Sequence, residues 1–167
     1  GIGLGGWLVP EGYMLHIPGY GSPSDIEAKI RDLTDSASTE QFYRLYRANY
    51  VNRKDVELMA QWGCNSIRLP FHYRLLYNPD ADAFREDGFA VIDSLLAWCE
   101  EARLYVILDM HCAPGGQNSG NISDSDGLEA RLWTNPANQL LTIRVWKEIA
   151  RRYATRTIVG GYDLLNE

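Results

Sequence analysis

What this sequence lacks narrows its chemistry first. Histidine is scarce: three residues, at positions 16, 72 and 111, give no ligand spacing, so no metal site is expected. The three cysteines, Cys64, Cys99 and Cys112, fit neither a disulfide framework nor a zinc site and read as free thiols. Neither Gly-x-Ser-x-Gly nor Gly-x-x-x-x-Gly-Lys occurs, which disfavours serine hydrolases and phosphate cradles. The glycine-rich start, Gly1 to Gly6, is not a dinucleotide fingerprint, because no helix opens directly after it. No cofactor is implied. Positive charge is not in excess, and a net charge of −6 gives no footprint for nucleic acid. No apolar run reaches membrane-spanning length, and no Lys/Arg-led, Ala-x-Ala-closed leader is legible. Gly1 in place of Met points to a processed or trimmed start.

What is present suits one soluble α/β domain over residues 1–167, long enough to bury a sizeable core. Gly1 to Leu8 reads as a short strand entering a glycine-supported loop. Residues 9–51 form a long excursion with short helices. Ser24-x-x-Glu27 offers a capping box for a helix over about 25–34, and Thr39 offers a cap for another reaching Tyr50. Asn52 to Trp62 carries Val56, Met59 and Ala60 at helical spacing, with Gly63 as its stop. A strand from Cys64 is expected to end at Pro70, and a helix capped by Asp87 to run through Cys99. Leu104 to Leu108 is a continuous apolar run, the pattern of a strand covered on both faces. A Gly/Asn/Ser-rich loop from Ala113 to Gly127 leads to a helix opened by Asn135-Pro136 and lasting to Tyr153. The last strand begins near Ile158. This alternation predicts one parallel sheet with right-handed crossovers.

Unusual polar residues follow the strands, so one sheet edge collects the chemistry. Glu167 beside Asn166 is the sharpest signal. A carboxyl there can serve as a proton donor to a glycosidic oxygen, and the adjacent amide can hold a sugar hydroxyl. The plainer alternative is a polar strand end. Arg68, inside an apolar strand, needs a carboxylate partner. That partner is either a structural salt bridge within the sheet or a catalytic carboxylate that Arg68 keeps ionised. His111 is either a sugar-hydroxyl ligand or a satisfied core histidine, and His72 and Tyr73 present the same choice less sharply. Trp7 and Trp133 can stack on a pyranose face or pack in the core.

Taken together, these stretches resemble glycoside hydrolase family 5, the cellulase and exo-glucanase family of retaining β-glycosidases. Gly5-Gly6-Trp7-Leu8-Val9-Pro10-Glu11 resembles its first-strand segment, especially in the exo-glucanase branch, and Arg68-Leu69-Pro70-Phe71 its second-strand motif. Asp109 to Asn118 resembles the third motif, and Asp163-Leu164-Leu165-Asn166-Glu167 the fourth. One departure is Gly3, where that branch has Asn. The resemblance implies Glu167 as acid/base, Asn166 as ligand of the sugar 2-hydroxyl and Arg68 as partner of the nucleophile. It also implies His111 and Glu11 in the subsite of the cleaved sugar.

The same resemblance implies a (β/α)8 TIM barrel of about 250 residues, with the nucleophile, a second Glu, at the end of the seventh strand. This sequence reaches only the fourth strand. The expectation is therefore a half barrel with the acid/base and without the nucleophile, acting on β-glucan or oligosaccharide when complete. Its uncovered strand edges predict a partner, either a second copy in a homodimer or oligomer or the missing C-terminal half.

Overall fold

Two-residue alternation decides the architecture. The computed structural model describes residues 1–125 and 127–167. Strand β1 (Ile2–Gly3) is followed by helices α1 (Pro23–Leu33), α2 (Ser36–Tyr50) and α3 (Arg53–Gln61), then by strand β2 (Ser66–His72). A short α4 (Tyr73–Leu76) and a small hairpin, β3 (Tyr77–Asn78) with β4 (Ala83–Phe84), precede α5 (Glu86–Ala102). Strand β5 (Tyr105–Cys112), a single 3-10 turn at Asn121–Ser123, helices α6 (Arg131–Thr134) and α7 (Pro136–Tyr153), and strand β6 (Val159–Asp163) complete the described order.

The chain is α/β, with a four-stranded sheet in the order β1-β2-β5-β6 and every pair parallel. Ile67, Leu69 and Phe71 of β2, and Val106, Leu108 and Met110 of β5, share the face under the helices and are completely buried. They meet Phe89, Ile92, Leu95 and Leu96 of α5 and Val145 and Ile149 of α7. Each such side chain contributes about 1.5–3 kcal/mol relative to exposure. The intervening residues, Arg68, Asp109, His111 and Asp163, fall on the opposite face, because register pairs Arg68 with Ile107 and Asp109 with Asp163. The polar cluster is thus a by-product of strand periodicity once register is set.

Helix interiors follow the sequence expectation, but three caps and one strand end differ. Helix α1 starts at Pro23, and Ser22 rather than Ser24 is its cap, with Oγ accepting from Asp25 N at 3.1 Å. Ser24 is instead drawn to Asp124, to which its backbone N–H donates at 2.8 Å. Asp35, not Thr39, caps α2 through Ser38 N at 2.7 Å. Thr39 lies inside the helix and returns its hydroxyl to Asp35 O at 2.8 Å. The residue before α5 is Arg85, and Asp87 sits in the first turn, where its charge suits the helix N-terminus. Strand β2 continues past Pro70 to His72, since proline removes one donor and leaves its carbonyl available. Asn52 with Asp55 forms a full capping box on α3, and Gly63 follows in the left-handed conformation (φ 83°). Asn135-Pro136 opens α7 as the spacing predicts. No helix among the described residues is long and apolar enough to cross a membrane.

Candidate active site

Arg68 emerges from the middle of β2 onto the face away from the helices. Its Nη2 lies 2.9 Å from Asp163 Oδ2, 3.0 Å from Asp109 Oδ2 and 2.9 Å from Asn166 Oδ1. Its Nε reaches the same Asp163 oxygen at 3.1 Å. One guanidinium therefore ties together the ends of three neighbouring strands, an arrangement for which a planar multi-donor cation is suited and an ammonium is not.

This cation also orients its neighbours. Because Arg68 can only donate, Asn166 turns Oδ1 toward it and leaves Nδ2 facing His111 Nε2 at 3.4 Å. Asp109 is wholly buried and, as a carboxylate, accepts from His111 Nδ1 at 2.7 Å. The network thus places a proton on His111 Nδ1, toward Asp109, and turns Nε2 toward Asn166 and Glu11. Spacing of two along β5 puts Asp109 and His111 on one face, so this pairing follows from the strand itself.

Glu11 approaches from the loop after β1. It is 3% exposed, and its Oε2 lies 3.9 Å from His111 Nε2, beyond hydrogen-bonding distance. Burial raises the Glu11 carboxyl above its ordinary pKa; the nearby His111 opposes this, while the charges of Glu167 and Asp109 add to it. Glu11 Oε1 and Asp109 Oδ1 are buried with no hydrogen-bond partner. Buried polar atoms are nearly always paired, so these two orphan acceptors stand out at this end of the sheet.

The remaining expected residues separate. Trp133 is 60% exposed, with its indole N–H donating to Gln117 O at 2.7 Å, so its ring is presented on a pinned edge. Trp7 is buried in the core and donates to Arg47 O at 2.8 Å, which takes it out of contention as a sugar platform. His72 differs from its expected role. Its Nε2 lies 2.9 Å from Asp124 Oδ2 and its Nδ1 accepts from Arg74 N at 3.0 Å, so both ring nitrogens are engaged within the protein. Tyr73 is buried and stacked on His72, with ring centroids 5.0 Å apart. These two line a cleft with Arg74, Asp124 and Arg131 that does not include Arg68, His111 or Asn166. The expected loop from Ala113 to Gly127 is described except at Asp126, which lies outside the described residues. Among the described residues, no cluster of His, Cys, Asp or Glu is arranged to hold a metal ion.

Asp109, Asp163 and Gln117 join this cluster without being among the residues expected from the sequence. The first two were within reach, since Arg68 demanded carboxylates and both sit at strand ends. Gln117 gave no signal of its own.

Polar groups thus gather around Arg68 on the C-terminal edge of a parallel α/β sheet. A family model described as Cellulase (glycosyl hydrolase family 5) matches residues 27–167, and the chain belongs to that family. A beta-xylosidase of Phanerodontia chrysosporium is 32% identical over 168 residues, a match covering 100% of this chain and 35% of that protein. Endoglucanase C of Acetivibrio thermocellus is 33% identical over 119 residues, covering 71% of this chain and 33% of the relative. The chain thus spans about a third of the length of these curated relatives. The crystal structure of rutinosidase from Aspergillus niger superposes with a TM-score of 0.83 over 100% of this chain and 48% of its own. At 18% identity that likeness shows the fold.

Proposed function

We propose that this chain forms the acid/base wall of a retaining β-glycosidase acting on β-glucan or cellulose-type poly- and oligosaccharides. Its strands are read as the first four of a (β/α)8 barrel, with residues 1–167 as the N-terminal half barrel and 9–51 as its first long loop. Glu167 protonates the leaving glycosidic oxygen and later activates water. Asn166 holds the sugar 2-hydroxyl, His111 and Glu11 hold the cleaved sugar, and Trp133 offers a stacking face.

The observation that carries this reading is Arg68. Three acceptors share its Nη2 and Nε, while Nη1 has no partner among the described residues and the side chain is 34% exposed. Two N–H donors are thus left for a second carboxylate, which retaining chemistry needs about 5–5.5 Å from the acid. A nucleophile on the remaining strands would take that place. Coverage of only 35% and 33% of the first relatives leaves room for those strands.

The test is hydrolysis of a chromogenic β-glucoside and of soluble β-glucan by the purified chain, alone and with the remaining strand–helix units supplied on a second polypeptide. Turnover on complementation, falling roughly 10²–10⁴-fold in Glu167→Gln, is the expected result. Turnover that survives Glu167→Gln removes the acid/base assignment.

A second reading is a non-catalytic, self-associating half barrel with at most weak carbohydrate affinity. The unpaired outer edges of β1 and β6 favour it, together with exposed Trp62 and Leu58 beside β1. Oligomers by light scattering with no turnover under complementation would support it.

A further inference from the structure

We infer that Gln117 is a positioning residue, setting where Asn166 and Glu167 stand and tying that placement to the Trp133 ring. Register between β5 and β6 holds to the Asp109–Asp163 pair, after which Leu164 turns outward and is 60% exposed. Beyond it one main-chain contact joins the strand ends, from Asn166 N to Met110 O at 3.3 Å. The carbonyls of His111 and Asn166 then lie side by side, each belonging to a residue less than 10% exposed and each needing a donor.

The Gln117 carboxamide supplies both. Its Nε2 donates to His111 O at 2.8 Å and to Asn166 O at 2.9 Å, and its Oε1 accepts from Ala113 N at 3.2 Å. Flipping the amide would set an oxygen against two carbonyl oxygens, so its orientation is fixed. Gln117 O receives the Trp133 indole proton. Among the described residues, Gln117 alone bonds to His111, Asn166 and Trp133 together.

The loop around it is held by other means. Gly116 N bonds to Ala113 O at 3.0 Å, and Arg131 N and Leu132 N bond to Gly115 O and Gly116 O at 3.0 and 3.2 Å. Loss of the Gln117 side chain therefore releases the end of β6 rather than unravelling the loop. That separates positioning from general support.

The informative substitution is Gln117→Glu, equal in shape. As a carboxylate it has no proton to give and sets negative oxygens against two carbonyls; protonated, it restores one of the two bonds. In ¹H–¹⁵N spectra of the chain, the Asn166 side-chain amide should shift toward an exposed amide's position at pH 7. It should return partway as the pH is lowered through the new carboxyl's titration. An Asn166 signal unmoved at every pH in a folded variant overturns the inference. If Gln117→Glu does not fold, Gln117→Leu removes the donors without charge and should give the same Asn166 shift at every pH. The unsubstituted chain gives a check that needs no variant: the Gln117 Nε2 protons should exchange at least about ten-fold slower than those of exposed Gln61, since both are hydrogen-bonded and buried. Equal exchange overturns the assignment.

The kinetic arm rests on the glycosidase reading. In the complemented enzyme, Gln117→Glu should lower kcat about 10²-fold at neutral pH, with KM nearly unchanged and recovery toward acid pH. A merely structural role would lower the fraction of folded protein and leave kcat per folded site as it was. Absence of turnover in the unsubstituted protein refutes the glycosidase reading and leaves the spectroscopic result to judge Gln117.

Discussion

Replacing Arg68 by Met should cost the chain about 3–5 kcal/mol, against a total of about 5–15 for a domain. Asp109 sets the magnitude. Its side chain is wholly buried, Oδ1 has no partner, and Oδ2 accepts from Arg68 at 3.0 Å and from His111 at 2.7 Å. Without Arg68 the carboxylate keeps one hydrogen bond. The lost charge-assisted bond accounts for roughly 1.5–3 kcal/mol and the uncompensated buried charge for the rest. Solvent reaches Arg68, whose side chain is 34% exposed, which favours the lower end of the range. Asp163 gives the internal comparison. It is 37% exposed, and Arg68 keeps Asp109 and Asn166 without it, so Asp163→Asn should cost at most about 1 kcal/mol. Adding Asp109→Leu to Arg68→Met should restore at least about half of the loss, because an apolar pair needs no compensation. Urea denaturation followed by circular dichroism reads all three, with a midpoint shift on the order of 2 M expected for Arg68→Met. The reasoning fails if Arg68→Met lies within about 1 kcal/mol of the parent. It fails equally if Asp163→Asn is as damaging.

Two further outcomes follow from local geometry. Gly88→Ala lies inside α5, where helix propensity alone predicts a gain of about 1 kcal/mol; a Cβ there would sit 1.8 Å from Leu75 O, so thermal unfolding should instead show a loss of about 1–3 kcal/mol. For Asp124, burial alone would raise the carboxyl, but hydrogen bonds from His72 and Ser24 outweigh it and hold the pKa below 3.8. A depressed carboxyl contributes stability above its unfolded value that is lost as pH falls through the folded one, so Asp124→Asn should flatten the decline of stability below about pH 4 and cost roughly 1.5–3 kcal/mol at pH 7. An acid limb identical to the parent's would show that the clip to His72 and Ser24 carries no weight.

The sequence by itself determined the order of the main strands and longer helices, while the short α4 and α6 and the β3–β4 hairpin were not legible in it. Helical spacing in α3 and α7, with Asn52 and Asn135 as caps, and the apolar run in β5 are local patterns, and local patterns survive without a partner. Four strand-end motifs in order were enough to identify the family, and Arg68, His111 and Asn166 were legible as residues needing company. Tertiary structure decided which company they keep. Ser24 lost its cap to Ser22 because Asp124, 100 residues away, takes its backbone N–H and hydroxyl. His72 went to the same carboxylate for the same reason. The site turns on Arg68 meeting Asp109, Asp163 and Asn166 across three strands, and on Gln117 joining two strand ends. Such pairings depend on register between segments far apart in sequence. Register is set by burial of Ile67, Leu69, Val106 and Leu108 on the other face of the sheet, so the polar residues inherit neighbours that the apolar ones select.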